Sequence, residues 1–184
     1  MAPNPKQQES RPKSGEVVRY NPEKRRLEDP LTNLRVMAID QDFYKGLRDR
    51  LFESFQSGAT VILYEMGLGY GRLMGKRILQ MGQSKLRIYR RFMNRGKYTG
   101  LGEFDTPLLK TIISGLKGEP VVRLKNSFYA ASVGRTGQEE CFIMAGTIAG
   151  SASVILSKEL DCKETMCISR GDAYCEFQLK EKSR

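Results

Sequence analysis

The stretch that most limits the fold is "CFIMAGTIAGSASVIL", residues 141–156, the longest run without a charge. It is short for a membrane span, which needs about 20 apolar residues, and it is rich in Gly, Ala and Ser. It is therefore predicted to be a buried helix over about 142–157. A second small-residue pattern lies upstream in "ATVILYEMGLGYGRLMGKRILQM", residues 59–81, where Gly67, Gly71 and Gly75 recur at i, i+4 and i+8 on one helical face. Each costs roughly 1 kcal/mol relative to alanine inside a helix. A stripe of three implies that another backbone packs closely there. The G-x-G-x-G spacing is neither the dinucleotide fingerprint nor the phosphate loop, which favours packing over ligand binding.

The rest of the chain reads as short strands and helices that do not alternate regularly. A strand is predicted at 16–20, a charged connector at 21–30, and a strand at 34–39. A helix follows from about Gln41 to Gln56, ended by Gly58, with Phe43, Leu47, Leu51 and Phe55 on one apolar stripe. A basic amphipathic helix is predicted at 84–98, a further helix at 106–118, and a strand at 119–127. "LDCKETMCIS" and "AYCEFQLK" read as a hairpin around Arg170-Gly171-Asp172. This order is an α+β pattern. Residues 1–30 are expected to be a basic, mostly disordered tail, and 31–184 a single domain.

The chain holds 31 Lys plus Arg against 21 Asp plus Glu, and neither histidine nor tryptophan. The commonest general acid/base and the commonest zinc nitrogen ligand are therefore missing. Between Met66 and Gly102 there are nine basic residues and no acid. Basic residues and aromatics in the 72–97 stretch allow a nucleic-acid-binding reading. No recognised motif accompanies the charge, so a solvated helix face is preferred.

All four cysteines, Cys141, Cys162, Cys167 and Cys175, fall in the last quarter of the chain. No secretory signal is visible, so a cytoplasmic location and reduced thiols are expected, and clustered cysteines read as metal ligands before disulfides. In the hairpin Cys167 lies opposite Cys175, close enough to share a zinc ion or, after a small rearrangement, to form a disulfide. Cys141 can approach from another layer, and either Cys162 or Glu164 completes four ligands. Buried thiols acting as small hydrophobes are the bland alternative.

Three segments carry a family resemblance: "VVRLKNSFYAA", "AGTIAGSASVIL" and "KETMCISRGDAYCEF". Together, best over residues 119–180, they resemble the 4-vinyl-reductase (hydrocarbon-binding) domain family. That family is related to the sensory domains of phenol- and xylene-responsive activators and to small subunits of the transport-particle tethering complex. In those sensory domains three cysteines and a glutamate hold zinc with the spacing C-x22-E-x2-C-x7-C. Cys141, Glu164, Cys167 and Cys175 fall in that register. The resemblance thus implies a zinc site at these four residues, leaving Cys162 spare, with Lys163 and Arg170 placed to offset its negative charge. It implies a helical layer on a small antiparallel sheet, with the C-terminal hairpin tied by zinc.

It also implies an apolar pocket, for which Phe92, Phe128 and Met144 are candidate lining residues, and often a homodimer. The expected function is a non-catalytic sensor or carrier of a small hydrophobic molecule, with a protein partner or a change in assembly relaying any signal. A tetrapyrrole vinyl reductase, or its accessory, is the enzymatic alternative; no nucleotide-binding fingerprint supports it. Phenol sensors place histidine and tryptophan in their pockets, and this chain has neither, which argues against phenol itself.

Overall fold

The computed structural model describes residues 18–30, 32–82, 96–105 and 120–182. They fall into two units, Met1–Ala38 and Ile39–Arg184.

In the first unit, β1 (Arg19–Asn21), β2 (Arg26–Glu28) and β3 (Arg35–Val36) form an antiparallel meander. The predicted charged connector is thus a turn and a strand. Polar cross-links hold it where apolar alternation is lacking. Glu28 accepts from the Asn21 amide at 3.0 Å and from Arg26 Nε at 2.7 Å. These two contacts keep its carboxyl low, at about 2.

The second unit is built on a helix pair. α1 (Gln41–Phe55) is capped by Asp40, whose carboxylate accepts the Phe43 N–H at 2.8 Å. The break after it falls at Gln56, with φ 49°, so Gly58 opens α2 (Gly58–Gln80) instead of closing α1. A short α3 (Phe128–Val133) precedes α4 (Phe142–Leu156), which is buried along most of its length, as the uncharged run predicts. The glycine stripe of α2 packs against α4. A Cβ on Gly67 would stand 2.0 Å from the Ile143 carbonyl oxygen, and one on Gly71 2.3 Å from that of Thr147. α4 answers with its own glycines: a Cβ on Gly146 would meet the Tyr64 oxygen at 2.0 Å, and one on Gly150 that of Leu68 at 2.2 Å. Both partners rise together in number, so the two helices run parallel.

α4 also packs on a four-stranded antiparallel sheet of order β4-β5-β7-β6, comprising Glu103–Asp105, Val121–Lys125, Cys175–Glu181 and Leu160–Met166. Alternation directs Leu160, Cys162 and Glu164 of β6, and Cys175, Phe177 and Leu179 of β7, into the interior. They join Met144, Ile148, Ala149 and Ala152 of α4 in one core. No described helix is long and apolar enough to cross a membrane.

The apolar stripe of α1 does not face this core. Phe43 and Phe55 are more than half exposed and Leu47 is 39% exposed, whereas Tyr44 is buried and Arg48 only 13% exposed. Arg48 faces inward because it has a partner there. Its guanidinium forks onto the fully buried Glu140, with Nε–Oε2 at 3.0 Å and Nη2–Oε1 at 2.6 Å, and stacks on the Phe52 ring at 4.1 Å. The predicted helices at 106–118 and, apart from a turn at 96–99, at 84–98 lie outside the described residues.

Candidate metal centre

The C-terminal hairpin and the start of α4 meet around four side chains. Cys141 is the residue before the first turn of α4; Glu164 lies on β6; Cys167 precedes a 3-10 turn (Ile168–Arg170); Cys175 opens β7. One potential ligand atom from each lies within 4.8 Å of all the others, and all four residues are buried.

The local backbone explains how Glu164 and Cys167, three residues apart, share a site. On a regular strand they would face opposite sides. The β6–β7 register slips between Glu164 and Met166, where Glu164 pairs with Phe177 and Met166 with Glu176. This irregularity returns Cys167 to the inner face and sets it across from Cys175. The connection is longer than the three-residue loop expected. After the 3-10 turn, Gly171 adopts φ 110°, a conformation suited to glycine. Asp172 then folds back to accept the Cys167 N–H at 2.8 Å.

The Cys141 and Cys175 sulfurs are 3.6 Å apart, and those of Cys175 and Cys167 3.9 Å. A disulfide needs about 2.0 Å, and all four cysteines are free. A tetrahedral ion with metal–sulfur bonds of about 2.3 Å sets its sulfurs about 3.8 Å apart, close to the spacing seen. Glu164 adds an oxygen donor. Its Oε2 accepts the Cys141 N–H at 2.9 Å, while its Oε1 is buried without a partner. An unpartnered carboxylate oxygen facing three thiols is costly unless a cation or a proton meets it. The donor set could therefore hold a metal ion.

In the metal-free state the group shares protons unevenly. Burial, and then the charge on Cys167, push the Glu164 carboxyl up to about 8. Hydrogen bonds from the Cys141 and Cys175 thiols hold Cys167 well below the ordinary thiol range, and the bond to Cys167 holds Cys141 well above it. One thiolate is thus stabilised by its neighbours; loading a cation would release the remaining protons.

Cys162 is buried on the same face of β6 but is not one of the four grouped donors. Lys163 lies on the opposite, exposed face of the strand and cannot serve as the counter-charge expected of it. Arg170 is engaged by Asp172 and Glu139 at 2.8 and 2.7 Å. Sequence reasoning missed two neighbours. Ser127, 1% exposed, places its Oγ 3.3 Å from the Cys141 sulfur; its only signal was the polar residue just before "FYAASV". Glu140, beside Cys141, gave no signal that Arg48 would meet it.

Of the proposed pocket residues, Phe92 lies outside the described residues. Phe128 packs with Tyr44 and Tyr129, at ring-centroid distances of 6.0 and 5.7 Å, and Met144 belongs to the core that includes Cys141. The Tyr44 hydroxyl is buried without a partner. A groove of about 940 Å³ lies at the far end of α4, among Arg72, Ser153, Lys158 and Glu159, and contains neither Phe128 nor Met144.

Residues 120–181 match the model of the vinyl-4-reductase domain family. An uncharacterised protein of Methanocaldococcus jannaschii is 26% identical over 123 residues, which cover 67% of this chain and 65% of that relative, just under two thirds of its length. Among solved structures, the phenol-responsive sensory domain of the transcription activator PoxR, bound to phenol, aligns with a TM-score of 0.72 and 16% identity, covering 90% of this chain and 85% of that one. A vinyl-4-reductase family protein of M. jannaschii gives 0.60 and 18%, covering 80% and 85%. A trafficking protein particle complex subunit 3 from Naegleria fowleri, covalently bound to palmitic acid, gives 0.56 and 15%, covering 78% and 93%. At these identities the likeness is one of fold. Through residues 120–181, the chain belongs to the vinyl-4-reductase domain family.

Proposed function

We propose that this chain is a zinc-containing binding module for a small hydrophobic molecule, with a structural rather than catalytic metal. The observation that carries the metal half is the buried group of Cys141, Glu164, Cys167 and Cys175, with its sulfur spacing and its unpartnered Glu164 oxygen. Three thiols and one carboxylate suit zinc, and four protein ligands leave no open position for water. The ion ties the hairpin to the start of α4.

The ligand half is supported by two fold neighbours that hold phenol and palmitic acid. In this chain the group of Tyr44, Phe128 and Tyr129, with the unpartnered Tyr44 hydroxyl, supplies apolar surface and one polar point. Phe128, Met144 and Phe92 are the proposed lining. A homodimer and a signalling partner belong to the same reading.

Native mass spectrometry of protein purified without added metal tests all of this. One zinc per chain, a co-purified apolar molecule and a doubled mass are expected. A metal-free chain with a Cys167–Cys175 disulfide would overturn the metal centre, and a monomer at micromolar concentration the dimer.

A further inference from the structure

Three anionic sulfurs and a carboxylate around a divalent ion leave a net charge of about −2, and no lysine or arginine is among the four grouped donors. The surrounding hydrogen-bond donors must carry the compensation. Glu164 Oε2 receives the Cys141 N–H at 2.9 Å, and the Cys175 sulfur the Ile168 N–H at 3.5 Å. The Cys167 sulfur receives the backbone N–H of Ser169. These three donors are main chain, fixed by the fold. The sulfur of Cys141 has a side-chain partner, the Ser127 hydroxyl at 3.3 Å.

That hydroxyl has a second task. Ser127 caps α3, and its Oγ accepts the Ala130 N–H at 3.5 Å. A hydroxyl carries one proton and two lone pairs, so it can donate to sulfur and accept from Ala130 together. The next two residues of α3, Phe128 and Tyr129, stack edge to face at 5.7 Å and pack on Tyr44 of α1 at 6.0 and 4.9 Å.

We propose that Ser127 is a positioning residue that couples the metal centre to this aromatic group, donating its proton to the metal-bound Cys141 thiolate while holding the first turn of α3. The proposal rests on the metal reading above. Without metal, Cys141 keeps its own proton and can donate to the hydroxyl instead. Loading the ion reverses that bond, and the reversal is transmitted to α3 through the cap.

Cobalt(II) serves as the probe, because thiolate-to-cobalt charge transfer reports electron density at sulfur. Cobalt is titrated into metal-stripped wild type, Ser127→Ala and Ser127→Thr, followed by absorption and by near-ultraviolet circular dichroism. The chain has 8 Tyr and no Trp, so the latter signal comes from Tyr and Phe. For Ser127→Ala the expected result is about 10-fold weaker cobalt binding, a charge-transfer band moved to lower energy, and loss of the dichroism change that cobalt produces in wild type. Ser127→Thr, which keeps the hydroxyl, should restore the band. Fraying of α3 alone would weaken affinity without moving the band.

A Ser127→Ala band at the wild-type energy overturns the proposal, as does a threonine variant shifted as far as the alanine one. Should the alanine variant not fold, a wild-type band in Ser127→Thr supports the proposal and a shifted one overturns it. Failure of wild type to bind cobalt would instead overturn the metal centre itself.

Discussion

The α2–α4 contact and the C-terminal hairpin both anchor the same buried helix, by opposite means. Along α2 the seal is shape alone: Gly67, Gly71, Gly146 and Gly150 let two backbones touch. At the hairpin the seal is chemical: Cys141, Glu164, Cys167 and Cys175 converge on one point and leave a carboxylate oxygen unanswered. The first contact is complete once the chain has folded. The second depends on what the solution supplies, whether a metal ion, protons or reducing equivalents. One end of α4 is thus fixed by geometry and the other by conditions.

The largest expected effect falls on the geometric side. Gly67→Val would drive side-chain atoms into the Ile143 carbonyl, where even a Cβ would come within 2.0 Å. A loss of about 4 kcal/mol or more, or failure to fold, is expected. Thermal unfolding with and without chelator should show the same loss; a variant as stable as wild type would break the contrast.

Next comes metal removal. If the folded state alone binds zinc at 100–1,000 times its dissociation constant, stripping it costs about 3–4 kcal/mol. For a chain of this size that lowers the melting temperature by about 10 °C. Cys167→Ser should do much the same. In both cases amide exchange should rise across 160–180 and stay slow in α2. Unchanged melting with an abolished turnover would instead make the metal catalytic.

Cys162→Ala should be milder, about 1–2 kcal/mol for a small buried group, and should leave metal binding intact. Loss of the metal in this variant, with retention in Glu164→Ala, would move the fourth ligand to Cys162.

The smallest effect is a pH slope in the metal-stripped protein. Folded Glu164 holds its proton up to about 8, whereas an unfolded glutamate loses it near 4.3. Between those values the native state binds more protons than the unfolded state, so this group makes stability fall as pH rises. Glu164→Gln should flatten that slope, and zinc, which displaces the proton, should reverse it. Denaturant midpoints at pH 5.5 and 7.5 measure both.

Much of this was legible in the sequence because its signals are local. An uncharged, small-residue run predicts a buried helix at 142–157, and the helix spans Phe142–Leu156. The glycine stripe predicts a close backbone, and α4 is there. The cysteines and Glu164 share one small region, although the spacing gave no sign of the strand irregularity that brings Cys167 round. What stayed hidden depends on distant partners. On α1, counting apolar residues selects Phe43, Leu47, Leu51 and Phe55, but Arg48 turns inward to meet Glu140, 92 residues away. Ser127 looks like an ordinary helix cap until Cys141 arrives beside it. β2 and β4 have three residues each, too few for any periodicity to register.

The glycines between α2 and α4 also act as donors. A carbonyl oxygen 2.0–2.3 Å from where a Cβ would stand lies at most about 3.5–3.8 Å from the Cα itself, in or just beyond the range of a Cα–H···O contact. Four such contacts, two from each helix, point in fixed directions and therefore set the rotational phase of one helix on the other. Each contributes roughly 0.5–1 kcal/mol at best. None of them titrates, oxidises or exchanges an ion, so α4 keeps its heading against α2 while the hairpin at its start responds to the solution.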